Sequence, residues 1–457
     1  MRDLIGRNLR RALVSALAGA GLNVAPAAAI DLLRSYELAL INDGQLKVSR
    51  ARADSGREAV PQAISQLLPN VSFSLAYGQT EQDRSLGDVT QPTARYPSNN
   101  YTLTLRQPLY RQYQFSQYDQ AKAKVASTDA QLDSDYQGTA LRVVASYFES
   151  LFARDSLTLI LAQKASYEAQ LRASKLAFAA GSGTRTDIDD IQTKYDLLLA
   201  DEIQVRQAIV ASTLKLQFFV GEPIDRLSTL DASSFQADGH DPGSLQEWVE
   251  RALEYNADLR VLKARWDAAQ SGIDMAKAGH LPTLDLVAQH AYNKGDSNNV
   301  FPSTENKTNY IGVQLNVPIY SGGGVNSGVR ESTARAEEAR QTFEYARDDL
   351  RLKVRNQFDA LKAGITRVHA LERALVSTHQ NVLSNQKGVL AGTRTILDVL
   401  NVEQQRFNTQ VELAKGRYQL LVTWATLQSF VGELNAEQIA RINRALQEPP
   451  PTTLSLR

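Results

Sequence analysis

Histidines and glycine-rich turns are the features of this chain best suited to bond-making chemistry, and their spacing assembles none. His240, His280, His290, His369 and His379 include no HExxH or other close pair suited to zinc, so each reads as a surface or packing residue. Gly322-Gly323-Gly324 lacks the GK[ST] ending of a phosphate loop and reads as a strand-to-helix turn. Gly181-Ser182-Gly183 falls inside a helical window instead of following a strand, which argues against a nucleophile elbow. The chain has no cysteine, which removes thiolate metal sites, disulfides and a cysteine-linked lipid anchor. No catalytic residue, cofactor or bound metal is expected. What remains is charge. Arg394 precedes Asp398 by four residues, the spacing of an exposed helical ion pair that contributes roughly a few tenths of a kcal/mol.

Long helices must carry those charges. The fourteen prolines leave two wide gaps, Pro108 to Pro223 and Pro318 to Pro449, and proline is the residue that breaks helix interiors. Inside the gaps apolar residues recur at coiled-coil spacing, as in Val354, Phe358, Leu361, Ile365, Val368, Leu371 and Leu375. A helix from near Phe115 to near Ala180 spans on the order of 100 Å at about 1.5 Å per residue. The two gaps are copies of one unit. Leu68-Pro69 matches Leu281-Pro282, Asn100-Tyr101 matches Asn309-Tyr310, and Pro108-Leu109-Tyr110 matches Pro318-Ile319-Tyr320. Gly183-Thr184-Arg185-Thr186 matches Gly392-Thr393-Arg394-Thr395, and Val220-Gly221-Glu222 matches Val431-Gly432-Glu433. Near-constant spacing across five anchors predicts a tandem duplication. Gly181-Ser182-Gly183 and Gly392 then mark turns between paired helices.

Before each window lie two segments of period-two alternation. Val71, Phe73, Leu75 and Tyr77 form one apolar row, Tyr101, Leu103 and Leu105 a second, Leu284, Leu286 and Ala288 a third, and Ile311 through Ile319 a fourth. These have the one-sided pattern of transmembrane barrel strands. Tyr77, Tyr101, Tyr110, Tyr292, Tyr310 and Tyr320 fall at or near their ends, where an interfacial aromatic girdle is expected. Polar loops are expected over Gln79 to Ser98 and Asn293 to Lys307. Lipid tolerates no open sheet edge, so four strands cannot span a bilayer alone, and an obligate oligomer follows.

Compartment and charge agree with this. Arg2, Arg7, Arg10 and Arg11 precede an apolar stretch ending in Ala25-Pro26-Ala27-Ala28-Ala29, which predicts a cleaved export signal over residues 1–29. Lys plus Arg and Asp plus Glu are 50 each, which gives no charge excess directed at nucleic acid. The expected organisation is a signal (1–29), a first repeat (30–222), a linking equatorial segment (223–245), a second repeat (246–433) and a C-terminal equatorial segment and tail (434–457).

The run from His280 to Leu286 (HLPTLDL), the run from Pro318 to Ser327 (PIYSGGGVNS) and the run from Gly392 to Leu400 (GTRTILDVL) resemble the signature segments of TolC-type outer-membrane channels, and the likeness covers nearly the whole mature chain. It implies an α+β membrane protein with a tandem-duplicated TolC-like fold. Four β-strands per chain would contribute to a twelve-stranded trimeric β-barrel, continued by a long antiparallel coiled-coil helical barrel with a mixed equatorial belt. The belt would draw on Glu222 to Gln246 and Leu434 to Gln447.

Function and partners follow from the same likeness. It implies a passive, gated export duct in the outer membrane and periplasm, docked to a periplasmic adaptor and an inner-membrane transporter, either ABC-type or proton-driven. Type I protein secretion is the expected task, small-molecule efflux the alternative, and a periplasmic coiled-coil scaffold the alternative of another class. In the family two acids separated by two positions ring the periplasmic aperture, with an arginine nearby. Asp398 matches the first acid and Arg394 the arginine, with Thr393 beside it, while the second acid is replaced by Asn401 and a linking tyrosine by Val389. Asp187 matches the acidic partner in the other half, although Asp189 aligns with Asp398 when the two GTRT runs are superposed.

Overall fold

The computed structural model describes residues 29–447 apart from 84, 91–92, 232–234 and 296–303. The expected export signal lies outside the described residues but for its last position, 29. Four long strands form one antiparallel sheet: β1 (Asn70–Gln82), β4 (Ala94–Tyr110), β6 (Thr283–Gly295) and β7 (Thr304–Asn316), in the spatial order β1-β4-β6-β7. Alternation sets its register. Val71, Phe73 and Leu75 oppose Leu105, Leu103 and Tyr101, and Leu286 and Ala288 oppose Val313 and Ile311. One face is therefore an apolar row repeated across all four strands, yet Phe73 is 65% exposed and Ile311 77% exposed. Among the described residues no other layer covers it, and β1 and β7 have no neighbour on their outer edges.

Three strand expectations change. The expected loops are mostly strand: β1 runs to Gln82, β4 starts at Ala94, and a small hairpin of β2 (Ser85–Leu86) and β3 (Val89–Thr90) tops them. Polar pairs sustain that extension, with Thr80 Oγ1 donating to Ser98 Oγ at 3.0 Å and Arg95 to Glu81 at 2.9 Å. Where both faces meet water, apolar alternation is no longer required for a strand, so the pattern hid it. In β7 the pairing stops at Asn316, short of Ile319, because its partner begins only at Thr283, after Pro282, and Pro318 has no N–H to donate. Tyr310 is not in the aromatic row. It stands opposite Gln289, on the polar face, and covers Gly312, where an added Cβ would come within 2.5 Å of the tyrosine hydroxyl. The likeness of Asn309-Tyr310 to Asn100-Tyr101 is therefore one residue out of register, and a one-residue slip reverses the face.

Below the sheet, α4 (Gln112–Ala179) and α8 (Gly324–Leu390) run for 68 and 67 residues. Each turns back into a helix of half its length, α5 (Arg185–Val220) and α9 (Ile396–Phe430). On the sheet side the partners are shorter: α1 (Leu32–Asn42), α2 (Gly44–Arg57), α3 (Ala59–Ser65), α6 (Leu245–Tyr255) and α7 (Ala257–Lys277). Thus α4 lies against α2, α3 and α7 near the sheet and against α5 and α9 beyond it. Asparagines seal the joints between the stacked helices. Asn42 Nδ2 donates to Val220 O at 2.7 Å and Asn256 Nδ2 to Phe430 O at 2.9 Å, satisfying carbonyls that end a helix.

The largest core lies at these joints, where Tyr147, Phe148, Leu151, Leu216, Leu361 and Leu421 are fully buried. Around it sits a belt of short elements: β5 (Thr229–Leu230) paired with β8 (Leu446–Gln447), a 3-10 turn at Ala237–His240, and α10 (Ala436–Asn443). Tyr147 OH fixes the belt to α4 by donating to Ser228 O at 2.9 Å. At the N-terminal end of α4, Arg111 grips the buried Asp285 of β6, with Nε donating to Oδ1 at 2.7 Å, and so ties helix to sheet.

Candidate gate at the helical tips

Both helical hairpins end far from the sheet in turns built from the same hydrogen bonds. After α4, Gly181 takes φ +77, and Ser182 donates its N–H to Ala177 O at 2.9 Å and its hydroxyl to the same oxygen at 3.2 Å. After α8, Gly392 takes φ +71, and Thr393 donates its N–H to Gly388 O at 2.9 Å and its hydroxyl at 3.2 Å. The returning helix then starts with a reciprocal cap. Asp187 N–H donates to Thr184 Oγ1 at 3.1 Å and Thr184 N–H to Asp187 Oδ2 at 3.2 Å. Asp398 N–H donates to Thr395 Oγ1 at 3.1 Å and Thr395 N–H to Asp398 Oδ2 at 2.9 Å. This is the capping box, which satisfies two orphan amides with one threonine and one acid.

The caps make Asp187, not Asp189, the structural counterpart of Asp398. Gly181, Ser182, Thr184 and Asp187 are the counterparts of Gly392, Thr393, Thr395 and Asp398, at one constant spacing of 211 residues. Superposing the GTRT runs is out by two residues. Asp189 instead pairs along its own helix with Arg185, Nε to Oδ1 at 3.1 Å, both side chains well exposed. At the same spacing, Asp190 is the counterpart of Asn401. The four equivalent tip positions thus hold Asp187, Asp190, Asp398 and Asn401, three acids and one amide.

Arg394 does not form the expected ion pair with Asp398. Its chain lies on Gly388, where an added Cβ would come within 2.6 Å of Arg394 Cγ, and it makes no ion pair among the described residues. Asp398 spends its carboxylate on the cap. The Thr395 amide and hydroxyl, and then the charge of Arg394, hold it below the usual carboxylate range.

Two further contacts join the hairpins near the tips, and neither had a sequence signal, because each links residues more than 200 positions apart. Lys194 Nζ on α5 donates to Asn401 Oδ1 on α9 at 2.6 Å and to Gln404 Oε1 at 3.4 Å. Burial pushes its ammonium down from the ordinary lysine range, and Asp190 opposes that shift. Glu403 is buried and accepts from Ser166 Oγ and Gln170 Nε2 of α4, both at 2.6 Å. Around them Tyr167, Ile191, Leu198 and Leu400 form a small core of their own, separate from the one at the belt.

The family model described as outer membrane efflux protein matches residues 35–222 and 248–433. The chain belongs to this family. Its two matched stretches correspond to the two structural copies, each with a strand pair and a helical hairpin. Among relatives, the protease secretion protein PrtF of Dickeya chrysanthemi is 30% identical over 97% of this chain and 96% of its own length. The alkaline protease secretion protein AprF of Pseudomonas aeruginosa is 32% identical over 89% of this chain and 85% of its own. Among solved structures, the outer membrane protein VceC of Vibrio cholerae superposes with a TM-score of 0.76, at 17% identity, over 88% of this chain and 96% of that one. The TolC-type resemblance and the α+β fold drawn from the sequence hold, and the protein is an outer-membrane channel that extends into the periplasm.

Proposed function

We propose that three copies of this chain form the outer-membrane duct of a type I secretion system, passing an exported polypeptide handed over by a periplasmic adaptor and an inner-membrane ABC transporter. The observation that carries the reading is the sheet. Among the described residues its apolar face is bare and both of its edges are unpaired, a state that lipid does not tolerate and that closure with further copies removes. Spacing along β4 agrees with a membrane band. Tyr101, stacked on Tyr292 with centroids 4.7 Å apart, and Tyr110 are nine residues apart, about 30 Å of strand, which tilted by about 40° rises close to the ~25 Å of a barrel's apolar belt. Tyr77 and Tyr320 complete that girdle. PrtF and AprF, similar over most of their length, are both named for protease secretion, which favours a polypeptide cargo over a small molecule.

The duct is passive, without catalysis or cofactor, and shut at its tips by Asp187, Asp398, Asn401, Thr393 and Arg394, with Asp189 outside the constriction. Exposed Leu176 and Phe178, at a groove lined by Lys175, Arg185, Asp189 and Gln192, and exposed Leu390 at the end of α8 offer the adaptor an apolar foothold. Purified protein in a planar bilayer should give small, cation-selective openings that enlarge with Arg394→Ala. Folded, inserted protein without any conductance would favour a coiled-coil scaffold. Restored protease secretion in cells that keep only the exporter and adaptor supports the cargo assignment. Restored drug resistance without secretion would move it to efflux.

A further inference from the structure

Lys194 is a charged residue near the tips whose side chain bonds to the other hairpin, not to a cap or to an acid of its own helix. It stands one turn after Asp190 on α5 and reaches across to α9, and its bonds to Asn401 and Gln404 are the side-chain hydrogen bonds joining those two helices among the described residues. Of the four equivalent positions 187, 190, 398 and 401, the one without a charge is the one that receives the ammonium. Asn401 lies three residues after Asp398, so the two side chains are neighbours on the helix surface, about 5–6 Å apart at Cβ. An amide partner makes the contact releasable. A carboxylate there would turn it into an ion pair and add a fourth acid.

We propose that Lys194 is a latch that ties the first hairpin to the second through Asn401 and Gln404, and that its ammonium sets the ion selectivity of the constriction by offsetting Asp398. This rests on the reading of the tips as the narrow point of the duct. In a closed oligomer the latch repeats around the axis, so its release and its charge both act in every copy.

The test uses the full chain in planar bilayers, reading conductance and the cation-to-anion permeability ratio in a KCl gradient. Lys194→Met should raise the open-state population by roughly two- to fivefold per latch and increase cation preference. Asn401→Asp in the wild-type background should lower conductance and leave the permeability ratio unchanged, because Lys194 neutralises the new acid. In the Lys194→Met background the same substitution should raise cation preference. This coupling between neighbours would not follow from a packing role. Wild-type conductance and permeability in Lys194→Met, with Arg394→Ala still enlarging the opening, would overturn the latch and leave the gate in place. If neither variant changes anything, the tips are not the constriction and both readings fall.

The absence of cysteine in the chain gives a second route should Lys194→Met fold poorly. A Lys194→Cys, Asn401→Cys double variant bridged by a short cleavable thiol reagent should lose conductance and regain it on cleavage. Conductance unmoved by a complete bridge would overturn the proposal.

Discussion

Asp398 and Thr395 exchange two hydrogen bonds from backbone N–H to side-chain oxygen, at 3.1 and 2.9 Å, so the carboxylate near the tip of the second hairpin is also the group that starts α9. Charge at the proposed aperture and stability of its helix are thereby coupled. Replacing Asp398 changes both, whereas replacing Thr395 touches the helix start and leaves the acid.

Thr395→Ala should therefore cost about 1 kcal/mol of local stability, as lost threonine caps do. Amide hydrogen exchange over the first turn of α9 should speed up roughly fivefold, with the belt core unaffected. Thr184→Ala should do the same at α5. Unchanged exchange in both would mean that the caps do not hold these turns.

Acid should loosen the second tip late. The folded Asp398 carboxyl is held below its ordinary range, so its contribution is complete above the unfolded value, about 3.9, and is lost as pH falls through the lower folded value. Conductance measured downward from pH 6 should stay flat until below the usual carboxylate range and then rise. Asp398→Asn should remove that step.

The opposite sign applies at the belt. His369 Nε2 sits 2.8 Å from Asp238, and this bond, with Glu372 nearby, raises the imidazole above its ordinary value. Its stabilisation is complete below the unfolded value near 6.5 and fades as pH rises through the higher folded one. Exchange protection of the 3-10 turn around Asp238 should fall over that window, and His369→Gln should abolish the dependence.

The two faces of the sheet should answer differently to charge. Phe73→Arg puts a guanidinium on the bare apolar face and should cost about 2–4 kcal/mol near the bilayer midplane, read as loss of the heat-resistant inserted oligomer. Ser72→Arg, one residue away on the polar face, should insert normally. Equal effects would contradict the assignment of the lipid side.

These faces show what the sequence made legible. The heptad run Val354, Phe358, Leu361 and Val368 is buried as its spacing requires, because helix period is a local property. The outer strand ends look like loops in the sequence, since polar pairs such as Arg95 with Glu81 carry no alternation. Repeat anchors chosen by letter failed where geometry overrode them: Tyr310 shares a letter with Tyr101 but not a face, and Arg394 shares one with Arg185 although Gly183 holds its place in the turn. Lys194 and Asn401 meet only once both hairpins are folded, and no local pattern encodes that meeting.

One long helix joins these separate regions. Between Leu151, locked in the belt core, and Ala179 at the turn, α4 runs 28 residues without interruption, about 42 Å at 1.5 Å per residue. It is a lever with its fulcrum at the belt. A tilt of about 10° there would carry the tip sideways by about 7 Å on that geometry, more than the reach of a single hydrogen bond. Force applied to the belt or the tip need not break the helix to widen the passage. It has to overcome the polar contacts and the small apolar core around Tyr167 and Leu400 that hold the lever's free end.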